Sequence, residues 1–174
     1  MDRIIAILEN INRPGIGKVI EYLRASNFAT ASCRGHHKYR GGVVDHSLEV
    51  YDLMSKAKSN FSEESIAICA LLHDIDKSRC KGFECNGNHP ERSVKILKLC
   101  GLQLTKDEEF AIKNHHAKDC SIIAHPLRSL LSAGDAKSAS IWEKKHPKPN
   151  QRTSRKLAKW LLLMFSEAKL RSKE

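Results

Sequence analysis

The chain has 174 residues, which predicts one domain with a substantial core rather than two domains. Its formal net charge of +10 indicates phosphate-rich partners such as nucleotides or nucleic acids. No apolar run is long enough to span a membrane, and the amphipathic start is unlike a signal peptide, so we expect a cytoplasmic protein. Its six cysteines are then expected to be reduced thiols.

The first part of the chain shows helical periodicity with one long interruption. The spacing of apolar residues predicts helices at residues 2–12, 14–26 and 43–59. Glycine and serine predict a loop at 27–42. Four basic or imidazole groups within that loop suit either a ligand-facing loop or a simple exposed turn: His36, His37, Lys38 and Arg40.

The second part of the chain continues in the same way. Predicted helices cover residues 62–74, 90–101 and 105–116, a seventh starts at 126, and a C-terminal one covers 150–170. Ser62 is expected to cap the first of these, and residues 105–108 form a capping box. No segment shows strand periodicity. The sequence therefore predicts an all-α bundle of about seven to eight helices, in a single domain at 1–174. Its core would span about residues 14–140, with the helix at 150–170 packing on it.

Residues 71–77, LLHDIDK, end an apolar helix with a histidine, an aspartate and a lysine. Burying His73 and Asp74 would be costly without a cation between them, and imidazole nitrogen with carboxylate oxygen suits divalent metal ions. The alternative is an ordinary helix end at which Lys77 complements the helix dipole. Further ligand-type residues occupy helix ends or apolar helix faces: His46, His89, His115 or His116, and Asp135. Zinc binding by Cys80, Cys85 and His89 is a weaker alternative, because the spacing fits no standard zinc pattern.

The motifs around these residues resemble the HD-domain superfamily of metal-dependent phosphohydrolases. His46, the His73–Asp74 doublet and Asp135 follow the family's order of histidine, His-Asp and distant aspartate. The flanking segments at 41–48 (GGVVDHSL) and 87–93 (GNHPERS) are also similar to family segments, as are the helix segment ending at His115 and the one around Asp135. The resemblance covers roughly residues 14–140 and is nearest to the HD domain of bacterial 3′–5′ exoribonucleases.

The chain departs from this pattern at two points. Asp76 replaces the glycine that usually precedes the lysine of the HDxGK segment, and it is expected either to support the metal site or to weaken phosphate binding. We also expect no nucleic-acid-binding domain of the kind fused to the exoribonucleases within these 174 residues, which weakens the argument for an RNA substrate.

The resemblance implies a site for one or two divalent ions, with Mn, Fe, Ni and Zn as candidates. His46, His73, Asp74 and Asp135 would hold one ion, and His89 and His115 a second that shares Asp74. The implied catalytic residues are Asp74, Lys77 and Asp135, and the implied substrate-binding residues are His37, Lys77, Arg92 and His116. Helical spacing suits either His115 or His116 as the ligand, and the resemblance favours His115.

The resulting hypothesis is a metal-dependent phosphohydrolase, a phosphomonoesterase or phosphodiesterase that uses metal-activated water on a nucleotide or short oligonucleotide. The alternatives are a basic nucleic-acid or nucleotide-binding module with a vestigial or structural metal, and a zinc-stabilised scaffold that uses the cysteines. Expected partners are a phosphorylated small molecule or short nucleic acid, together with a second copy of the chain in a possible homodimer.

Overall fold

The computed structural model describes residues 1–118 and 125–147, and these residues confirm the all-α prediction. They contain seven α-helices, two short 3₁₀ turns and no strand. The helices are α1 (Asp2–Glu9), α2 (Ile16–Ala25), α3 (Gly42–Lys56), α4 (Glu63–Leu72), α5 (His89–Leu99), α6 (Lys106–Asn114) and α7 (Pro126–Lys145). The 3₁₀ turns are Phe28–Thr30 and Ile75–Lys77. Within the described ranges, no helix combines the length and apolarity needed to cross a membrane.

Backbone contacts divide the chain into units at Met1–Trp142 and Glu143–Glu174. The features discussed below belong to the first unit. The predicted C-terminal helix at 150–170 lies outside the described residues. The prediction of a single domain at 1–174 therefore stays a prediction.

Helix α4 is the centre of the bundle. Every residue from Ile66 to Leu72 is buried, which explains why its sequence is apolar on all sides rather than striped. It packs against α1, α3 and α6. Because α4 is enclosed, the residues that follow it, His73 and Asp74, are carried into the interior at 0% and 1% exposure.

The helix caps follow the sequence prediction. The Ser62 side chain accepts a hydrogen bond from the backbone N–H of Ser65, and Thr105 and Glu108 form a reciprocal capping box. The Glu108 side chain is fully buried and also binds Arg13, with Nη1 and Oε2 2.5 Å apart. A second carboxylate, that of Glu64, lies 2.7 Å from the same guanidinium. This network joins α4 and α6 to the segment that precedes α2.

Several helix boundaries differ from the prediction. Helix α1 ends at Glu9 rather than near residue 12, α2 begins at Ile16 rather than 14, and α3 ends at Lys56 rather than 59. The late start of α2 has a steric cause. Gly15 is left-handed at φ 89°, and a Cβ there would lie 2.2 Å from the backbone of Gly101. The loop predicted at 27–42 also contains the 3₁₀ turn that includes Phe28, whose ring is fully buried.

The turn before α3 is tightly packed. His37 has a positive φ of 45°, and Gly41 is left-handed at φ 87°. A Cβ at Gly42 would lie 2.0 Å from the carbonyl oxygen of His37, so this contact requires glycine. The turn places the imidazoles of His36 and His37 beside His46, with ring centroids 4.6 and 5.4 Å from the His46 ring.

Helix α7 closes the bundle against α3 and α6. Its Gly134 sits where a Cβ would meet Met54 at 3.2 Å and Val50 at 3.3 Å, so α7 approaches α3 closely at this point. Its buried Arg128 donates to the carbonyl oxygens of Asn114 at 2.9 Å and His115 at 3.5 Å. A cation at the end of α6 satisfies carbonyls that have no intrahelical partner and complements the helix dipole. Arg128 thereby fixes the backbone that carries His115.

Candidate metal centre

Four imidazoles and two carboxylates from five helical segments meet at one place in the bundle. They are His46 in α3, His73 and Asp74 after α4, His89 at the start of α5, His115 after α6 and Asp135 in α7. The rings of His46 and His73 have centroids 5.3 Å apart, and those of His73 and His115 are 5.1 Å apart. The His89 ring is 5.5 Å from that of His115. The six residues therefore form one cluster.

The Nδ1 atom of each of these histidines is held by a partner behind the ring. The partners are the Ser138 hydroxyl for His46 at 3.0 Å, the Ala70 carbonyl for His73 at 2.9 Å, the Asp76 carboxylate for His89 at 2.5 Å, and the Ile112 carbonyl for His115 at 2.7 Å. A carbonyl or carboxylate only accepts, so His73, His89 and His115 each carry a proton at Nδ1. In its neutral form each of these rings presents the Nε2 lone pair to the centre of the cluster, which is the arrangement that metal-binding histidines use.

The atoms that face the centre are buried and have no hydrogen-bond partner. They are the Nε2 atoms of His46, His73, His89 and His115, together with Oδ1 of Asp74. The Nε2 of His89 and the Oδ1 of Asp74 lie 2.7 Å apart, yet they are not aligned as a hydrogen bond. A buried polar atom without a partner costs about 1–3 kcal/mol, so five converging ones need a shared partner. Nitrogen and carboxylate donors of this kind fit a divalent cation.

Asp74 lies between two halves of the cluster. Its Oδ1 is 2.7 Å from His89 Nε2 and 3.8 Å from His73 Nε2. Its Oδ2 is 3.7 Å from His46 Nε2 and also forms an ion pair with Lys77. On the far side, Asp135 Oδ1 is 3.2 Å from His46 Nε2. Donor atoms of His46, His73 and Asp135 lie within 4.8 Å of one another, as do those of His73, Asp74 and His115.

The protonation states of the cluster suit a cation. Burial lowers the pKa of His73, and it lowers that of His115 to about 3, so both rings are neutral near pH 7. Burial raises the pKa of Asp74, but His73, His89 and Lys77 outweigh it and hold that pKa well below its usual range. Burial likewise raises the pKa of Asp135, but the adjacent His46 outweighs burial, so the pKa of Asp135 is lowered. The carboxylates are therefore ionised and the two rings uncharged.

His89 and Lys77 are the cationic groups of the metal-free cluster. Burial lowers the pKa of His89, but the adjacent carboxylates of Asp74 and Asp76 outweigh burial and raise that pKa to about 9. Burial also lowers the pKa of Lys77, and the adjacent Asp74 outweighs it and raises that pKa. Both groups compensate the Asp74 carboxylate when no ion is bound.

The two histidines at the end of α6 point to different surroundings. His115 is 3% exposed and takes part in the cluster. The His116 side chain is 56% exposed and lines a cleft, with its Nδ1 3.7 Å from Asp135 Oδ2. The geometry therefore places His115 among the buried donors and His116 on the cleft wall, and the choice of His115 as a ligand stays a prediction.

The remaining predicted substrate-binding residues differ in their access to the cleft. His37 is 4% exposed, its Nε2 lies 3.4 Å from Glu49, and its neighbour His36 faces the cleft instead. Arg92 lines the cleft, but its guanidinium is engaged with Asp76 at 2.6 Å and with the Gly87 carbonyl at 2.7 Å. Lys77 lines the cleft beside Asp74.

Sequence reasoning missed the groups that support the cluster from behind. Ser138 accepts from His46 and donates to Glu49 at 2.6 Å, which makes a relay from a buried ring to a half-buried carboxylate. Ser138 lies three residues after Asp135 on the same helix, and that spacing was the available signal. Cysteine takes no part in any candidate cation cluster within the described residues, and the five described cysteines are free thiols.

An open cleft of about 1110 Å³ leads to the cluster. Asp135, His89, His116 and Lys77 lie along it, and Phe83 contributes an aromatic wall. Basic residues line the same cleft: Arg34, Lys77, Arg79, Lys81 and Arg92. A basic cleft leading to a nitrogen and carboxylate cluster suits an anionic ligand.

The fold and the cluster define an all-α protein with a histidine–aspartate centre for divalent cations. The model of the HD domain matches the chain over residues 43–158, which is more than half of its length, and the chain belongs to the HD-domain family. Members of this family are generally metal-dependent hydrolases. No curated protein and no solved structure shows significant similarity to the chain. The superfamily predicted from the sequence motifs is thereby confirmed.

Proposed function

We propose that the protein is a divalent-metal-dependent phosphohydrolase that cleaves a phosphoester of a nucleotide or short oligonucleotide. The observation that carries the proposal is the set of five buried, unpartnered donor atoms beside a basic cleft. Family membership supports the hydrolase class. The substrate class rests on the charges of the cleft.

The donor atoms divide into two groups around Asp74. His46, His73 and Asp135 would hold one ion together with Asp74, and His89 and His115 would hold a second on the opposite side of that carboxylate. When bound, divalent ions lower the pKa of water enough to supply hydroxide near neutral pH and neutralise charge on a phosphoryl group. Mn, Fe, Ni and Zn all suit mixed imidazole and carboxylate donors.

The residues at the cleft floor have separate tasks in this proposal. Lys77 remains protonated beside Asp74 and offers a point charge to a phosphate oxygen. Asp135 is ionised and lines the cleft, so its carboxylate is available to accept a hydrogen bond from the attacking water and to orient it. His116, more than half exposed, contacts the substrate from the wall.

Three further cations of the cleft favour a substrate with more than one phosphate. The exposed Arg34, Arg79 and Lys81 line the cleft, and their side chains form no ion pair with the described residues. In contrast, Lys77 and Arg92 are paired with Asp74 and Asp76. Cations that are not already paired can bind phosphates that do not react, which nucleotides and oligonucleotides supply.

The primary test is hydrolysis by the double variant His73→Ala and Asp74→Ala, reconstituted with Mn²⁺ beside the wild type. Nucleotides, short oligonucleotides and p-nitrophenyl phosphate serve as substrates. A matched control is the double variant His125→Ala and Asp107→Ala, which removes a surface His–Asp pair with a 3.1 Å contact. The proposal predicts turnover by the wild type and the control only. Hydrolysis by the cluster variant would contradict the proposed function.

The substrate class has its own test. Replacing Arg34, Arg79 and Lys81 by Gln is expected to raise KM for an oligonucleotide and to weaken its dependence on salt. KM for p-nitrophenyl phosphate, which has one phosphate, is expected to stay unchanged. The control variant replaces three exposed lysines outside the cleft, Lys58, Lys106 and Lys113, by Gln. Equal effects of the two triple variants would show that only net charge matters.

The alternative is a nucleic-acid or nucleotide-binding module with a structural metal. The net charge of +10 and the unpaired cleft cations favour it. It predicts salt-sensitive binding of RNA or DNA with full metal occupancy and no turnover of any phosphoester. The hydrolysis assay above separates the two functions.

A further inference from the structure

Asp76 is the residue at which the chain departs from the HDxGK pattern, and its carboxylate is buried behind the metal centre. The side chain is 1% exposed. Its Oδ1 lies 2.5 Å from His89 Nδ1 and accepts from the Ser93 hydroxyl at 3.1 Å. Its Oδ2 accepts from Arg92 at 2.6 Å. Both oxygens thus bind side chains of α5.

His89 needs this partner because of its position in its helix. His73 and His115 follow the last turns of their helices, so carbonyls three residues earlier hold their Nδ1 atoms. His89 is the first residue of α5 and has no preceding turn to supply such a carbonyl. Of the four histidines in the cluster, His89 alone has a carboxylate directly at Nδ1. A carboxylate in this position fixes the ring orientation and strengthens Nε2 as a ligand.

Asp76 also ties down the loop before α5. Arg92 donates to Asp76 and, through its other terminal nitrogen, to the carbonyl oxygen of Gly87. Gly87 has a φ of 125°, which an L side chain rarely adopts, and its position depends on this contact. The chain from Asp76 through Arg92 to Gly87 therefore fixes the entry of the backbone into α5, at the point where His89 projects.

We infer that Asp76 is a positioning residue that holds His89 for the second metal position and leaves the first position independent of it. The inference rests on the proposed function and identifies the residue that orients His89 at the second metal position. The Nδ1 atoms of His46 and His73 have other partners, the Ser138 hydroxyl and the Ala70 carbonyl. Arg92 holds the loop before α5 in place through its contacts with Asp76 and Gly87, and its guanidinium is therefore not free to bind a phosphate.

The test is equilibrium titration of the metal-free protein with Mn²⁺ and Zn²⁺, with metal content measured after dialysis. The variants are Asp76→Gly, which introduces the residue of the HDxGK pattern, and Asp76→Asn, which keeps the volume. Arg92→Gln removes the contacts of the guanidinium with Asp76 and Gly87 but leaves the contact between Asp76 and His89. The control is Asp52→Asn, at an exposed carboxylate that pairs with Arg3 outside the cleft.

The inference predicts two equivalents in the wild type and the control. In Asp76→Gly the second equivalent is expected to bind about 10–100-fold more weakly while the first is unchanged. Asp76→Asn is expected to weaken the second equivalent less, because its carbonyl can still accept from His89 while its amide opposes Arg92. Arg92→Gln is expected to have the smallest effect. If Asp76→Gly does not fold, the volume-conserving Asn variant decides the question.

Other outcomes overturn the inference in distinguishable ways. Equal weakening of both equivalents in Asp76→Gly would show a general structural role, and unchanged binding would show no role. A wild type that takes up one equivalent would refute the second position, while hydrolysis by a single-metal enzyme would leave the proposed function standing. A wild type without any metal uptake would refute the proposed function itself.

Discussion

Metal binding at His89 is expected to release one proton, because a metal ion and a proton compete for the same Nε2 atom. Burial lowers the pKa of His89, yet the adjacent carboxylates of Asp74 and Asp76 outweigh burial and raise that pKa to about 9. At pH 7, two units below this pKa, about 99% of the metal-free protein carries the proton. A metal ligand must be the neutral imidazole, so occupancy of Nε2 expels it.

The other candidate ligands whose pKa is shifted are expected to contribute little to the proton release. Burial lowers the pKa of His73 and lowers that of His115 to about 3, so these rings have already lost their proton at pH 7. The pKa values of Asp74 and Asp135 are held below the usual range, so both carboxylates are already ionised. The difference in proton release between the wild type and His89→Gln should therefore be about one proton at pH 7.

The assay is isothermal titration calorimetry with Zn²⁺ in two buffers of different ionisation enthalpy, which gives the number of protons released. His125→Gln, at a histidine outside the cleft, is the control and should release as many protons as the wild type. Because the pKa of His89 is raised, affinity at its position should increase about tenfold per pH unit up to about pH 9 and then level off. Equal release by the wild type and His89→Gln at pH 7 would refute the assigned role of His89. A difference in proton release between the wild type and His89→Gln that persists at pH 11 would refute the pKa of about 9 for His89.

Three further changes test the structure that supports the site. Glu108→Ala removes the buried partner of Arg13 and is expected to lower the free energy of unfolding by about 3–5 kcal/mol, measured by urea denaturation; a loss below 1 kcal/mol would contradict the buried network. Gly42→Ala places a Cβ against the His37 carbonyl, and we expect a loss of about 1–3 kcal/mol in the same assay, whereas wild-type stability would show that the turn can relax. Ser138→Ala leaves the Nδ1 of His46 without its partner, which should weaken the first metal equivalent about 10–100-fold in equilibrium dialysis; a selective loss of the second equivalent would contradict the support assigned to Ser138.

The predictable part of the fold is the part that local chemistry determines. Ser62 and the Thr105–Glu108 box begin their helices because each satisfies exposed backbone N–H groups within a few residues. The uniformly apolar α4 is enclosed for the same kind of reason, since it has no polar face to present to water. The start of α2 was placed too early because the contact that delays it, between Gly15 and Gly101, joins residues far apart in the chain.

The same distinction applies to the candidate site. His46, His73, Asp74 and Asp135 were found from motifs with fixed order, and the structure brings them together. Their supports could not be found in this way, because Ser138 and Glu49 are separated by 89 positions and are ordinary helix-surface residue types. The choice between His36 and His37 for the cleft depends on the left-handed backbone of His37, which a histidine rarely adopts.

The helix-end position of His73 and His115 links metal binding to local unfolding. Each ring is held by Nδ1 to the last turn of its own helix, through the carbonyls of Ala70 and Ile112. Opening of either turn would move the ring out of its place in the cluster. A bound ion should therefore disfavour this opening and slow amide hydrogen exchange at the ends of α4 and α6.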